Sequence, residues 1–362
     1  MNISIIGAGP VGNYAAYLLS RKGLQAEVYE EHSEIGRPVQ CTGILSSKFK
    51  EIIKPKKEFV INKTNKARIY APNNKFVELR LRTNYILDRT KFDSHLAKEA
   101  EKNAAKINLN TKFLDFRKRN KYYKLKIKHN DNIRQINTDY LIGADGPVSQ
   151  VAKSAGVFDK RKFLQGMQVR ANYQNDNAVE FFPYVGTYAW IVPENKEIAR
   201  IGLASYSNTK SIFEKFTMEK INKKDIIDKQ GGLIPMYNPH LRTQKENIYL
   251  VGDAATQVKA TTGGGIIPGL IAAKCVANAI IEDMDYHRSW KRELGLELYG
   301  HLAIRKMMDK FKYEDWNKLI DEFDNEKLRE ILQNNPRDNI LSLGFKSILH
   351  KPSMLRYMKF FF

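Results

Sequence analysis

Apolar positions along this chain fall into three patterns. Short apolar runs come first: Ile3 to Ile6 and Ile248-Tyr249-Leu250-Val251 read as buried strands, with Val28-Tyr29 as another strand end. Residues 66–82 alternate loosely and read as β. Residues 164–206 carry short aromatic and β-branched runs broken by Pro183, Gly186 and Pro193, the pattern of an antiparallel sheet. Helical periodicity marks Tyr14 to Leu19, 209–222 and 286–350, the last through Leu294, Leu298, Leu302 and Met307. Gly231-Gly232-Leu233-Ile234-Pro235 reads as a loop returning to the first domain. The stretch Ile266 to Ile281 holds Pro268 and Lys274 and is short for a membrane span, so a core helix is expected.

Two glycine-rich turns interrupt these runs. Gly7-Ala8-Gly9-Pro10-Val11-Gly12 lies between a strand and a helix, and Glu30 ends the next strand eighteen residues after Gly12. In such a turn the first glycine permits the bend, the second lets backbone approach a pyrophosphate, and the third lets helix and strand pack; the acid bonds a ribose. The helix start offers N–H groups to phosphate. The run 248–251 ends in Gly252-Asp253, and Thr262-Gly263-Gly264-Gly265-Ile266 then opens another helix. An aspartate at the carboxyl end of a parallel strand sits where such sheets bind ligands. Together the turns predict FAD, held along its whole length. Expected cofactor contacts are Gly7, Gly9, Pro10, Gly12, Glu30, Gly252, Asp253, Gly263, Gly264, Gly265 and Ile266.

Four further segments bring a family into view: Glu34-Ile35-Gly36-Arg37-Pro38-Val39-Gln40-Cys41-Thr42-Gly43, Asp88-Arg89 with Phe92-Asp93, Asp139 to Gly146, and Tyr188-Ala189-Trp190-Ile191-Val192-Pro193. With them, residues 1 to about 285 resemble the geranylgeranyl reductases of archaeal lipid synthesis, within the flavoproteins related to aromatic hydroxylases. Thr42, Thr256 and Ala260 depart from the family pattern. The resemblance adds Arg37, Cys41, Arg89, Asp145 and Gly146 to the cofactor set, with Asp145 and Gly146 closing a turn. It implies FAD-dependent hydrogenation of C=C bonds in geranylgeranyl chains of archaeal ether lipids or their precursors. Cys41 is the candidate for proton transfer or substrate positioning, the alternative being a small packed side chain. Tyr188 and Trp190 share a strand face and would wall an isoprenoid cavity, or form a sheet core; Phe181, Phe182 and Tyr184 would extend that wall. Arg89 reads as a phosphate partner or as one half of a salt bridge. Rival readings are a flavin monooxygenase or halogenase, an electron-transfer flavoprotein-quinone oxidoreductase-like protein, and a non-catalytic FAD protein of membranes.

The expected fold is α/β: a discontinuous Rossmann-like FAD-binding domain (1–55, 85–155 and 245–285), an inserted α+β substrate domain with an antiparallel sheet (56–84 and 156–244), and a C-terminal helical region (286–362). The net charge of +20, from 60 basic and 40 acidic residues, suits an acidic electron carrier or anionic lipid, or simply a solubilising surface. No nucleic-acid motif is visible, so none is expected as partner. The electron donor is left between NAD(P)H and ferredoxin. Two cysteines and seven scattered histidines argue for a reducing compartment and no metal site. With a strand starting at residue 2, no signal peptide is expected, and the location is cytoplasmic, with peripheral contact at the membrane face left open. The basic, aromatic tail from Lys351 to Phe362 reads either as a membrane-surface anchor or as a segment packed on the protein.

Overall fold

The apolar runs assemble into a six-stranded sheet in a computed structural model that describes residues 1–323, 325–334, 346–347 and 349–360. Strand order is Gln244–Lys245, Ile248–Leu250, Tyr140–Gly143, Asn2–Ile6, Gln25–Tyr29, Lys106–Asn108. All neighbours are parallel except the short antiparallel edge strand Gln244–Lys245. Both faces are covered, which is why the central strands are largely apolar. Ile3, Ile5 and Val28 face Ala15, Ala16 and Leu19 of the helix Pro10–Ser20 and Leu270, Ala273 and Val276 of the helix Ile266–Glu282. Ile6, Leu141, Ile248 and Leu250 face a three-stranded antiparallel sheet made of Thr111–Arg119, Tyr122–His129 and Asn132–Thr138. That meander was not anticipated, although Tyr123, Leu125 and Ile127 alternate with Lys124, Lys126 and Lys128 and lie buried on its inner face. Helix Ile266–Glu282 packs as an interior helix, and no helix among the described residues is long and apolar enough to cross a membrane.

A second sheet has eight strands, ordered Ile226–Pro235, Phe163–Asn172, Ile198–Ser205, Tyr188–Pro193, Ala178–Phe182, Val60–Tyr70, Phe76–Leu87, Ile44–Leu45. Pairing is antiparallel apart from Ala178–Phe182 beside Val60–Tyr70. Two expectations are corrected here. The segment 231–235 is no return loop: it ends the strand Ile226–Pro235, with Gly231 and Gly232 opposite Met167 and Gly166. Phe163–Asn172 supplies the ladder partners, which outweigh the turn tendency of paired glycines. Phe182 and Tyr184 do not extend the face of Phe181 and Tyr188. Successive side chains alternate, so Phe182 turns to the opposite face, stacks on Tyr70 and meets Phe216 of the helix Thr209–Met218. Tyr184 packs in the same outer cluster and against Tyr313.

Among the described residues after 285 the chain forms helices, Tyr286–Trp290, a π-helical turn Lys291–Gly295, Leu296–Met308, Tyr313–Glu322 and Glu326–Asn334, and residues 335–345 of the expected helical region lie outside the described residues. Trp290, Leu294 and Leu298 are buried against the parallel-sheet core. The tail packs as well: within Pro352–Phe360 the rings of Tyr357 and Phe360 lie 5.5 and 4.8 Å from that of Phe311. Lys351 and Arg356 both pair with Glu322. Phe361 and Phe362 lie outside the described residues.

Candidate active site between the two sheets

The first glycine turn is built by close approach. Gly7 has φ +102°, and a Cβ there would lie 2.5 Å from the Ala144 carbonyl oxygen. A Cβ on Gly12 would overlap the Gly7 carbonyl oxygen. Gly9 is different: a Cβ would meet no protein atom within 4 Å, so its backbone faces open space. Gly9 is also the N-cap of Pro10–Ser20, with Pro10 opening the first turn and no side chain capping it. Uncapped helix N–H groups over open space make a place for phosphate. Glu30 stands at the end of its strand as expected. It accepts the Ala8 N–H (2.7 Å) and the His32 N–H (3.0 Å). Asp145 accepts the Ser149 hydroxyl (2.6 Å) and the Val151 N–H (2.9 Å), and Gly146 faces open space at φ +75°. These two therefore shape a turn, as the resemblance implied.

Asp253 sits in the 3₁₀ turn Gly252–Ala255 at the end of strand Ile248–Leu250. Its surface is only half-buried, yet protein surrounds it, so it lines an internal recess. Burial pushes its carboxyl up to about 6, with Arg89 acting in the opposite direction. A Cβ on Gly265 would come 2.8 Å from Asp253 Oδ1, which explains the glycine at the helix start. Gly265 caps Ile266–Glu282 with no side-chain cap, and the Asp253 carboxylate lies against that helix start. A raised carboxyl favours the protonated fold, so its stabilising effect is complete below about pH 4. It is lost as pH rises through about 6. The apoprotein should therefore lose of order 1–2 kcal/mol across that window, allowing for water in the recess. Asp253→Asn should flatten this slope in thermal unfolding of the apoprotein from pH 4 to 8.

Arg89 begins the helix Arg89–Glu101 and makes a two-pronged ion pair with Asp93 (3.1 and 2.8 Å). Burial opposes its charge, but Asp93 and the neighbouring Cys41 outweigh that and hold the guanidinium charged above its ordinary range. The salt bridge forms, and it leaves Arg89 beside Cys41 and within reach of the Asp253 field. Cys41 is half-buried, and its sulfur accepts the Gly43 N–H at 3.3 Å. Arg37 does not join this group; its side chain is 62% exposed and pairs with Glu34.

The inner face of the eight-stranded sheet supplies the opposite wall in three cross-strand rows. Gly232, Gly166, Ala204 and Tyr188 form the first, a nearly bare strip ending in one large ring. Gln230, Gln168, Gly202, Trp190 and Phe181 form the second. Asp228, Arg170, Arg200 and Val192 form the third. Gly202 is small for a reason: a Cβ would lie 2.7 Å from the Trp190 ring. Tyr188 is 1% exposed, and its hydroxyl has no hydrogen-bond partner among the described residues. A Cβ on Gly263 would overlap that hydroxyl, so Gly263 (φ +68°) brings the second glycine turn onto the sheet. Tyr188 stacks on Phe181 and leans on Trp190, with both centroids 5.9 Å away. Gly264 pairs with Lys259 in an isolated bridge, and Ile266 is buried behind it. The sequence reading missed Gln168, Glu194, Gly202 and Arg200. Arg200 and Gly202 left a signal, as they interrupt the otherwise apolar strand Ile198–Ser205.

Comparisons with known proteins give the family and the fold. The family described as FAD binding domain matches residues 1–225. Digeranylgeranylglycerophospholipid reductase 3 of Methanosphaera stadtmanae is 31% identical, over 88% of this chain and 90% of that protein. The digeranylgeranylglycerophospholipid reductase of Methanothrix thermoacetophila is 28% identical over 93% and 97%. Among solved structures, a geranylgeranyl bacteriochlorophyll reductase-like protein from Thermoplasma acidophilum superposes with a TM-score of 0.83 at 24% identity, covering 100% of this chain and 99% of that one. The open helix N-terminus at Gly9, the glycine turns and the acid at the strand end fit FAD, and the chain belongs to the FAD-binding digeranylgeranylglycerophospholipid reductase family.

Proposed function

We propose that this chain reduces C=C bonds in the geranylgeranyl chains of an archaeal ether lipid, using FAD. The observation that carries the reading is the recess itself. A cofactor cradle at the strand ends faces an aromatic wall, Phe181, Tyr188 and Trp190, across a thiol set beside the largely buried Arg89. The turn Gly7 to Gly12 would hold the pyrophosphate, Glu30 a ribose, and Asp253 with Gly263, Gly264 and Gly265 the flavin half. The Tyr188 hydroxyl, buried without a partner among the described residues, points to a polar group that belongs in this recess.

Saturating an isolated alkene takes a hydride to one carbon and a proton to the other. Reduced FAD supplies the hydride when bound. The protein must exclude water, fix the double bond and deliver the proton. Flat rings of Tyr188 and Trp190 fix a chain without hydrogen bonds. The Trp190 N–H is already satisfied by Gln168 Oε1 at 3.0 Å, so the indole presents only apolar surface. Cys41 is the proton donor in this reading, and the Arg89 guanidinium carries the negative charge left on sulfur until solvent returns the proton. Electrons reach the flavin from NAD(P)H or a ferredoxin; the positive surface favours the acidic protein.

The test is direct. FAD-loaded protein, reduced with dithionite and given unsaturated archaeal lipid, should add hydrogens in pairs, read by mass spectrometry. Oxygen-dependent hydroxylation of an aromatic compound instead would favour the monooxygenase reading. Trp190→Ala opens the wall beside Gly202, so the distribution of remaining double bonds should shift while FAD content stays constant. An unchanged product pattern removes Trp190 from the wall.

A further inference from the structure

Thr42, the residue after Cys41, is both the start and the end of a closed circuit of hydrogen bonds. Its hydroxyl donates to Gln168 Oε1 (2.9 Å). Gln168 Nε2 donates to Gln230 Oε1 (2.6 Å), and Gln230 Nε2 to Asp228 Oδ1 (3.2 Å). Arg170 donates to Asp228 Oδ2 (2.7 Å) and, through Nε and its other terminal nitrogen, to Glu194 (2.9 to 3.1 Å). Arg200 Nε donates to Glu194 Oε1 at 2.6 Å. One terminal nitrogen of Arg200 then donates to the Thr42 carbonyl and to the Leu87 carbonyl (3.0 Å). The circuit crosses three adjacent strands and returns to the residue where it began. It uses the second and third rows of the sheet's inner face, the same face that carries Trp190.

We propose that this circuit is a clamp that sets the position of the Cys41 thiol, with Arg200 and Gln168 as its positioning residues. The inference rests on the reading that Cys41 acts at the recess. Three features carry it. First, the circuit holds Thr42 from both side chain and main chain, which fixes the loop's rotation as well as its height. Second, Gly43 has φ +71°, and a Cβ there would stand 2.8 Å from the Arg200 guanidinium and 2.7 Å from the Leu87 carbonyl oxygen. The glycine is what lets Arg200 reach the loop. Third, Gln168 Oε1 accepts from both Thr42 and Trp190, so one atom sets the thiol loop and the aromatic wall at a common distance. Arg200 and Glu194 are 6% and 7% exposed, and burying two charges is costly unless every bond is made. Burial works to raise the Glu194 carboxyl, yet Arg170 and Arg200 hold it below its ordinary value. A clamp of planar, multiply bonded groups resists small displacements that a single bond would allow.

Four variants of the FAD-loaded protein test this: Thr42→Val, Thr42→Ser, Arg200→Lys and Gln168→Leu. The readout is the rate of Cys41 alkylation by iodoacetamide, followed by mass spectrometry of its peptide, beside kcat and KM for lipid reduction. Cys275 is buried and serves as the internal reference. Thr42→Val and Gln168→Leu each remove the side-chain arm, and Arg200→Lys keeps the charge but loses the fork. All three should speed alkylation about two- to tenfold, the range of one lost hydrogen bond, and lower kcat more than KM. Thr42→Ser restores the hydroxyl and should return both to wild type. Equal alkylation rates in wild type and folded Thr42→Val, or a Thr42→Ser variant as perturbed as Thr42→Val, overturn the clamp. Should Arg200→Lys fail to fold, Thr42→Val with its serine control decides alone. Alkylation is read whether or not lipid is reduced, so failure of the clamp and failure of the lipid-reductase reading are separate results.

Discussion

Cys41→Ala should slow alkene reduction roughly 10²–10⁴-fold, the usual worth of a positioned general acid, while FAD content per protein stays at the wild-type level. The separation between activity and cofactor follows from where the thiol sits. Cys41 lies on the loop after the second strand, outside both glycine turns, so its removal leaves those turns and Glu30 in place. Among the described residues its sulfur accepts the Gly43 N–H and lies beside the charged Arg89. Loss of a weak bond to sulfur costs the fold about 1 kcal/mol or less. A packing role therefore predicts near-normal turnover, and a proton-transfer role predicts the large loss. Cys41→Ser distinguishes them further, because serine fills the space but is a far weaker acid. Wild-type turnover by mass spectrometry in a yellow Cys41→Ala protein would end the catalytic assignment.

The second large effect is structural. Gly12→Ala should give a protein that is less stable and colourless. Its Cβ would overlap the Gly7 carbonyl oxygen and approach the Ala144 Cβ to 3.2 Å. The first contact is backbone and cannot rotate away, so the helix Pro10–Ser20 must move off the sheet. Overpacking of this kind costs typically about 1–3 kcal/mol, and displaced helix N–H groups weaken phosphate binding further. About 2–3 kcal/mol of lost binding is a roughly 30- to 150-fold loss of FAD affinity. Gly9→Ala is the control. A Cβ there meets no protein atom, so apoprotein stability should match wild type while FAD affinity falls, because the methyl group stands where backbone must meet pyrophosphate. Thermal unfolding of the apoproteins and flavin titration read the two effects apart. A stable, yellow Gly12→Ala protein would contradict the packing argument.

Much of this molecule was written in local pattern. The parallel sheet is legible because strands buried on both faces must be largely apolar, as Ile3 to Ile6, broken only by Ser4, and 248–251 are. The cofactor turns are legible because only glycine tolerates a carbonyl at Gly12 or a positive φ at Gly7, and that requirement is local in sequence. Tyr188 and Trp190 were legible as a shared face, since alternation is a property of the strand alone; the same rule, applied to Phe182, would have sent it to the other side. Tertiary structure decided the rest. Gly231 and Gly232 look like a turn until Met167 and Gly166 stand opposite them. Arg200 is one charged residue in an apolar strand until Glu194, Thr42 and Leu87 meet around it from as far as 158 residues away. Chemistry that depends on a single short turn is dictated by the residues of that turn. The thiol's neighbourhood is assembled from groups remote in the chain, whose distances exist only once two sheets have closed on each other.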